Sequence, residues 1–223
     1  MTKRPILPLE IYEFMCCNEL LEDARRSLGQ LQWVSNDKNL ISYEPLNTTP
    51  AFRDLHAWFQ SCINEVQEDL NLPFERLKIT QSWANKTITG QSHHAHTHPN
   101  SYMSGILYLT TAEEGSTEFY SLNPWFDFFL ILIDADRQYA NVFRQKPIAG
   151  KLLLFPSKLE HCVQECVGEA PRFTVSFNVF PEGRFDHKPG TRRFLELSVT
   201  PYRLMEGDDC ELSASRKLTD DRT

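Results

Sequence analysis

The chain has 223 residues, of which 41% are hydrophobic and 24% charged, a composition typical of a globular protein with one substantial core. Its formal net charge of −7 argues against nucleic acid as a partner, and its most apolar stretch, residues 126–133, is too short to cross a membrane as a helix. The six cysteines form no CxxC pair and the first residues do not resemble a signal peptide, so we expect reduced thiols and a cytoplasmic protein.

Two amphipathic helices are predicted near the start of the chain. Between residues 9 and 31, apolar side chains recur at three- and four-residue steps, the spacing of one helix face. A second helix is predicted to begin at Thr49 and Pro50, as its cap and first residue, and to end before Pro73. We therefore expect residues 1–76 to form a helical layer that packs on the rest of the chain.

From Leu77 onward the apolar residues alternate with polar ones, which is the pattern of β-strands. The predicted strands lie at residues 77–83, 105–110, 117–122, 128–133, 150–156 and 172–180. Gly, Pro, Asn and Asp separate them, and no helix-length pattern intervenes. The sequence thus predicts a mainly β core over residues 77–203, an antiparallel sandwich or jelly roll, followed by a polar and flexible tail at residues 204–223.

Histidines are concentrated at residues 93–98, which read HHAHTH. His94, His96 and His98 occupy alternate positions, so in an extended strand their imidazoles would project from one face. A single histidine is more often exposed or hydrogen-bonded than a metal ligand, but three on one face favour a metal site. His161, in GKLLLFPSKLEHCV, is placed to close such a site from a distant strand.

An ordered set of motifs resembles the 2-oxoglutarate- and Fe(II)-dependent oxygenases of prolyl-hydroxylase-like type. These motifs are WAN (83–85), HTHPNS (96–101), SGILYL (104–109), GKLLLFPS (150–157), His161 and RFTVSFN (172–178). The resemblance covers roughly residues 77–180 and implies a double-stranded β-helix, which is a form of jelly roll. It also implies dioxygen-dependent hydroxylation of an amino acid, peptide or small metabolite, with release of succinate and CO2.

The resemblance assigns the iron ligands to His96, His98 and His161. His94 and His96 have the same spacing, so His94 is the alternative ligand if the register shifts by two residues. The wider superfamily has a carboxylate where this chain has His98, so the implied site contains three histidines.

The resemblance assigns the far carboxylate of 2-oxoglutarate to Arg172, Thr174 and Tyr108. A guanidinium matches a carboxylate with two parallel hydrogen bonds, which a lysine cannot do. The pocket rim is expected to include four further residues that would contact the substrate: Asn85, Asn100, Tyr102 and Trp125. The identity of the substrate and the oligomeric state are not predicted.

Two other functions remain open at this point. Gly90 followed by five residues and His96 resembles the first motif of cupin dioxygenases, which use histidine-rich metal sites without 2-oxoglutarate. Against that class, the motif's glutamate is absent and His161 lies eleven residues after Gly150, farther than the second cupin motif requires. The second alternative is a non-enzymatic zinc-binding module, since Cys162 and Cys166 flank the distal histidine.

Overall fold

The computed structural model describes residues 9–36, 38–112, 114–120, 142–186 and 194–198. Within them, two antiparallel sheets pack face to face, and helices α1 (Asn18–Ser27) and α2 (Arg53–Asp69) lie on the outer face of the larger sheet. Short 3-10 turns occur at Leu28–Gln30, Leu46–Thr48 and Pro50–Phe52. Among these described residues, no helix combines the length and the apolar character that a membrane span needs.

The two sheets differ in size. In the described part of the chain, the larger sheet has eight strands: β1 (Tyr12–Met15), β2 (Trp33–Asn36), β3 (Asn39–Ser42), β4 (Arg76–Thr87), β6 (Met103–Tyr108), β9 (Lys151–Pro156), β11 (Arg172–Asp186) and β12 (Phe194–Leu197). The smaller sheet has four: β5 (His93–His96), β7 (Thr117–Tyr120), β8 (Val142–Gln145) and β10 (His161–Val163). The spatial order β1-β9-β6-β11-β4-β3-β2 in one sheet and β5-β10-β7-β8 in the other confirms the jelly-roll prediction.

Strand β11 shows how one alternating sequence serves both the core and a cavity. Val175, Phe177 and Val179 are fully buried on the helical side, where the Phe177 ring stacks on Phe59 of α2 with centroids 4.4 Å apart. Arg172, Thr174 and Ser176 project from the other face, toward the smaller sheet, and line a cavity between the sheets. The period of two therefore directs apolar side chains to the core and polar ones to the cavity.

The N-terminal segment differs from its prediction. Residues 12–15 form β1, which pairs with the edge strand β9, and α1 begins only at Asn18. The sheet edge supplies the hydrogen bonds of this segment, so tertiary pairing overrides a helical pattern that is weak at its start. The structure also adds β2 and β3, which were not predicted, so the first 76 residues contribute strands as well as helices.

The second helix follows its prediction more closely, ending at Asp69 before Pro73, although Pro50 starts a 3-10 turn and the α-helix starts at Arg53. Thr49 does not cap the helix through its side chain; its Oγ1 donates instead to the Pro45 carbonyl at 3.0 Å. The predicted strand at 128–133 and the predicted tail at 204–223 lie outside the described residues. The proposed division at residues 76 and 203 stays a prediction.

Replacing Gly105 by alanine is expected to lower the free energy of unfolding by about 1–3 kcal/mol, the usual cost of overpacking a core. A Cβ at this position would overlap the buried ring of Phe177, which is held from the other side by Phe59. Thermal or urea unfolding measures the change. Gly29→Ala is the matched control, because a Cβ there meets no atom within 4 Å. Equal stability of the two variants would contradict this packing.

Candidate active site

Three imidazoles meet within the cavity. Strand β5 pairs with β10 so that His96 lies directly opposite His161. His98 follows β5, and its backbone N–H donates to the carbonyl of Ser157, the residue after β9, at 2.9 Å. One ring nitrogen from each of His96, His98 and His161 lies within 4.8 Å of the others, and no carboxylate or thiolate of the described residues joins this group.

Hydrogen bonds fix which nitrogen is available in two of the three rings. The Nδ1 atom of His96 donates to the His94 carbonyl at 2.8 Å, and Nδ1 of His161 donates to the Leu159 carbonyl at 3.0 Å. Because a carbonyl only accepts, the proton resides on Nδ1 and the lone pair on Nε2. The Nε2 atoms of His98 and His161 are 3.2 Å apart. Two nitrogens bound at about 2.1 Å to one ion would stand roughly 3.0–3.4 Å apart, so this donor set fits a metal.

Burial keeps these rings uncharged at neutral pH. It lowers the pKa of His161 to about 3 and that of His98 to about 4, and it also lowers the pKa of His96. The neighbouring imidazoles act in the same direction on His98 and His161. A neutral imidazole is the form that coordinates a metal.

Arg172 lies at one end of the cavity and is 4% exposed. One Nη1 hydrogen goes to the Gly115 carbonyl, whereas Nε is buried without a hydrogen-bond partner. No carboxylate among the described residues forms a salt bridge with this guanidinium. Burial lowers the pKa of Arg172, and an unpaired buried cation is costly. The arrangement therefore provides a site for an anion that the chain itself does not supply.

Hydroxyl groups surround the same end. Thr174 Oγ1 accepts a hydrogen bond from Asn85 Nδ2 at 3.2 Å, so its own proton is available to a ligand in the cavity. Tyr108 is fully buried and its pKa is raised to about 12 by burial. Its hydroxyl donates to Thr117 Oγ1 at 2.7 Å, and Thr117 lines the cavity. Thr117 therefore stands between Tyr108 and the cavity, and its own hydroxyl proton can be donated there.

The cavity has a volume of about 990 Å³ and contains many of the residues singled out from the sequence. Arg172, Thr174 and Asn85 line it together with the three histidines. Among the described residues, Asn100 and Tyr102 are not part of its lining.

Two of the expected rim residues lie elsewhere, and one cannot be placed. Asn100 is exposed in a turn with φ of 57°, and the Tyr102 ring packs edge-on against Phe74 with centroids 5.1 Å apart. Asn100 follows Pro99 in the turn between β5 and β6, and Tyr102 lies in the bend just before β6. Trp125 lies outside the described residues.

Several cavity residues were not identified from the sequence. His93 lines the cavity and its ring lies 4.4 Å from that of His96. His94 is exposed; its carbonyl accepts a hydrogen bond from His96, and its ring lies 5.7 Å from the His96 ring. Thr117, Ser176 and Asn39 are likewise brought in by strand pairing. No sequence signal marks such single polar residues, although alternation along β11 places Ser176 on the face of Thr174.

Residues 81–178 match the family model described as "Putative 2OG-Fe(II) oxygenase". This match supports a 2-oxoglutarate/Fe(II) oxygenase. The match spans all three histidines, Arg172 and Thr174. The enzyme class of this oxygenase and its cofactors, Fe(II) and 2-oxoglutarate, follow from the family. No curated protein matches the chain in sequence.

Solved structures agree with this oxygenase in fold. HygX from Streptomyces hygroscopicus, with nickel and 2-oxoglutarate bound, is 15% identical with a TM-score of 0.59, over 78% of this chain and 83% of that one. A Pseudomonas putida prolyl-4-hydroxylase is 16% identical with a TM-score of 0.52, over 76% and 92%. The non-heme alpha ketoglutarate dependent epimerase SnoN from nogalamycin biosynthesis is 13% identical with a TM-score of 0.58, over 90% of both chains. These likenesses establish the double-stranded β-helix.

Proposed function

We propose that this oxygenase hydroxylates a small molecule, amino acid or peptide, with His96, His98 and His161 holding Fe(II) and Arg172 holding the far carboxylate of 2-oxoglutarate. The observation that carries the proposal is the buried guanidinium of Arg172, which faces the same cavity as three neutral imidazoles. A diacid with one carboxylate at Arg172 and the other near the histidines would neutralise the cation. Bound there, Fe(II) and 2-oxoglutarate supply the oxidation of a substrate C–H bond by dioxygen, with release of succinate and CO2.

The chain's own residues orient the cosubstrate and protect it from water. Arg172 Nε and the hydroxyl of Thr174 are donors without another acceptor, and both face the same end of the cavity. Asn85 Nδ2 donates to Thr174 Oγ1 at 3.2 Å and to Ser176 Oγ at 3.0 Å. The protons of both hydroxyls therefore point away from Asn85. The buried phenol of Tyr108 orients Thr117 in the same way.

The two alternatives receive less support from the geometry. In a cupin dioxygenase the buried Arg172 would have to bind the carboxylate of a substrate, whereas the family model matched by residues 81–178 favours 2-oxoglutarate. A zinc module would draw on Cys162, but that thiol pairs with the Tyr120 hydroxyl at 3.1 Å and is not in the histidine cluster.

The substrate class is supported by the fold relatives. HygX is known with hygromycin B bound, a small molecule, and the bacterial prolyl hydroxylase is named for a residue found in peptides. A cytoplasmic location is proposed from the thiols, because all five described cysteines are free. Dioxygen is the other expected partner.

Turnover tests the proposed function. We expect succinate to accumulate only when Fe(II), 2-oxoglutarate and dioxygen are all supplied to the purified protein, measured by chromatography of the acids. Omission of each component in turn is the control. Absence of succinate under all conditions, together with equimolar tightly bound zinc, would support the zinc module instead.

Replacing Asn85 by aspartate is expected to weaken 2-oxoglutarate binding by roughly 10-fold or more. The new carboxylate can only accept hydrogen bonds, so the hydroxyls of Thr174 and Ser176 would donate to it and no longer to the ligand. Each hydrogen bond that the ligand loses would weaken its binding by about 0.5–1.5 kcal/mol. It would also repel the cosubstrate. Anaerobic calorimetry measures the affinity. Asn64→Asp, an exposed position on α2, controls for the added charge. Unchanged affinity in Asn85→Asp would exclude this role.

A further inference from the structure

The strand register divides the cavity into two ends. On β4, Asn85 pairs with Thr174 and Thr87 pairs with Arg172, so these residues belong to the end that holds the guanidinium. Trp83, two residues away, has its ring 6.0 Å from that of His98. The cavity thus continues past the histidines, beyond the part that a diacid as small as 2-oxoglutarate would fill.

The chain that follows β3 forms the wall of this second end. Ile41 pairs with Asn85, and Ser42 Oγ accepts a hydrogen bond from the Ala84 N–H at 3.1 Å. Because the strands are antiparallel, the next residues, Tyr43 and Glu44, run toward Trp83. Both line the cavity. We call Tyr43, Glu44, Gln81 and Trp83 the substrate end.

The charges of the cavity are segregated. Among the described residues that line it, Glu44 is the one carboxylate, and Arg172, at the opposite end, is the one permanently charged cation. The half-buried Glu44 side chain accepts one hydrogen bond, from the Gln32 N–H to Oε2 at 3.3 Å, which leaves Oε1 for a ligand. The bound diacid would offset the charges of Arg172 and Fe(II), which leaves Glu44 as the carboxylate of the described lining that is free to pair with a cation at the substrate end.

The other side chains of the substrate end suit the same ligand. The indole of Trp83 and the phenol of Tyr43, which is 41% exposed, provide aromatic faces on which a cation can rest. Gln81 Oε1 accepts a hydrogen bond from Asn178 Nδ2 at 3.0 Å, and Asn178 Oδ1 accepts from the buried Ser104 hydroxyl at 2.9 Å. These two hydrogen bonds fix the orientation of the Gln81 amide, so its Nε2 group can donate to an oxygen of the bound substrate.

We propose that the substrate end binds a cationic amine, whose ammonium group pairs with the Glu44 carboxylate beside the rings of Trp83 and Tyr43. The inference deepens the proposed function and rests on it, since it assigns a substrate class to the same site. An anionic substrate would meet the repulsion of Glu44, and the substrate end has no cationic side chain to offset that repulsion. A purely apolar one would leave the carboxylate without its partner.

Two probes of the same size and shape test this assignment. Benzylamine is protonated at neutral pH, whereas benzyl alcohol is neutral. Their dissociation constants are measured by ligand-observed NMR on protein saturated with 2-oxoglutarate and with Zn(II), which is redox-silent, in place of iron. We expect benzylamine to bind wild type about 10-fold more tightly, equivalent to roughly 1.4 kcal/mol. In Glu44→Gln the two probes should bind within about twofold of each other.

A matched variant controls for net charge. Glu65→Gln removes the same charge from the exposed face of α2 and should keep the preference for the amine. The inference is overturned if wild type does not prefer benzylamine, if neither probe binds at millimolar concentration, or if the preference survives Glu44→Gln. Titration of 2-oxoglutarate into the same samples tests the proposed function separately from the amine inference. If 2-oxoglutarate does not bind, the proposed function is refuted. If it binds but wild type shows no preference for the amine, only the amine inference is refuted.

Discussion

Replacing His161 by alanine is expected to abolish stoichiometric Fe(II) binding. His161 is 2% exposed, faces His96 across the β5–β10 pair and lies in contact with His98 through their Nε2 atoms. Loss of an outer-shell partner of a metal ligand costs roughly 10–100-fold in affinity, so loss of a ligand should cost more than about 100-fold. Anaerobic equilibrium dialysis with Fe(II) measures the binding, and thermal unfolding establishes that the variant is folded.

His94→Ala provides the matched control for this variant. His94 is exposed, and its ring is not one of the three that could hold the metal. The hydrogen bond that orients the His96 ring is accepted by the backbone carbonyl of His94, which the substitution keeps. We therefore expect near-normal Fe(II) affinity in His94→Ala and a strong loss in His96→Ala. The reverse order would move the ligand pair to His94 and His96. Full affinity in His161→Ala would remove the metal assignment altogether.

Arg172→Lys is expected to weaken 2-oxoglutarate binding by roughly 10-fold or more, at least about 1.4 kcal/mol, while Fe(II) affinity is unchanged. The lysine keeps the charge but loses the planar fork, including the Nε donor that has no other partner in the folded protein. Thr174→Val removes one hydroxyl donor at similar volume and should cost only about 0.5–1.5 kcal/mol. Anaerobic calorimetry with Mn(II)-loaded protein compares the two.

Arg53→Lys serves as the control, because the Arg53 side chain is 85% exposed at the start of α2 and is not part of the cavity lining. Its 2-oxoglutarate affinity should equal that of wild type. If Arg172→Lys also binds 2-oxoglutarate normally, the buried cation is not the anchor of the far carboxylate. If wild type does not bind 2-oxoglutarate either, the result would support the cupin alternative.

Alternation was a sufficient guide to the β core but a poor one at the N-terminus. Strands β4 and β11 were confirmed because one face of each lies in the core, which imposes a period of two. Strands β6 and β9 were confirmed although both of their faces are buried, since short continuous apolar runs also mark buried strands. Residues 12–15 were wrongly assigned to a helix, since pairing with a distant strand edge leaves no local signal. Strands β2 and β3 are four residues each, too short to display a period, and they were missed.

The candidate site was only partly accessible from sequence for the same reason. The three histidines and Arg172 fall in motifs with defined spacing, and the structure brings the histidines together although His98 lies outside the strand that was expected to carry it. Thr117, Asn39 and Glu44 reach the cavity through pairing or through the chain after β3, which no local pattern encodes. Their roles, like the ligand assignments, remain predictions to be tested.

Anaerobic addition of Fe(II) and then 2-oxoglutarate to the purified protein tests the central claim most directly. If His96, His98 and His161 hold the iron and Arg172 orients the diacid toward it, a weak visible metal-to-ligand charge-transfer band should appear in wild type. The band should be absent in His161→Ala and should need a higher 2-oxoglutarate concentration in Arg172→Lys. If wild type binds Fe(II) but develops no band at saturating 2-oxoglutarate, the assignment of the iron and 2-oxoglutarate sites is contradicted.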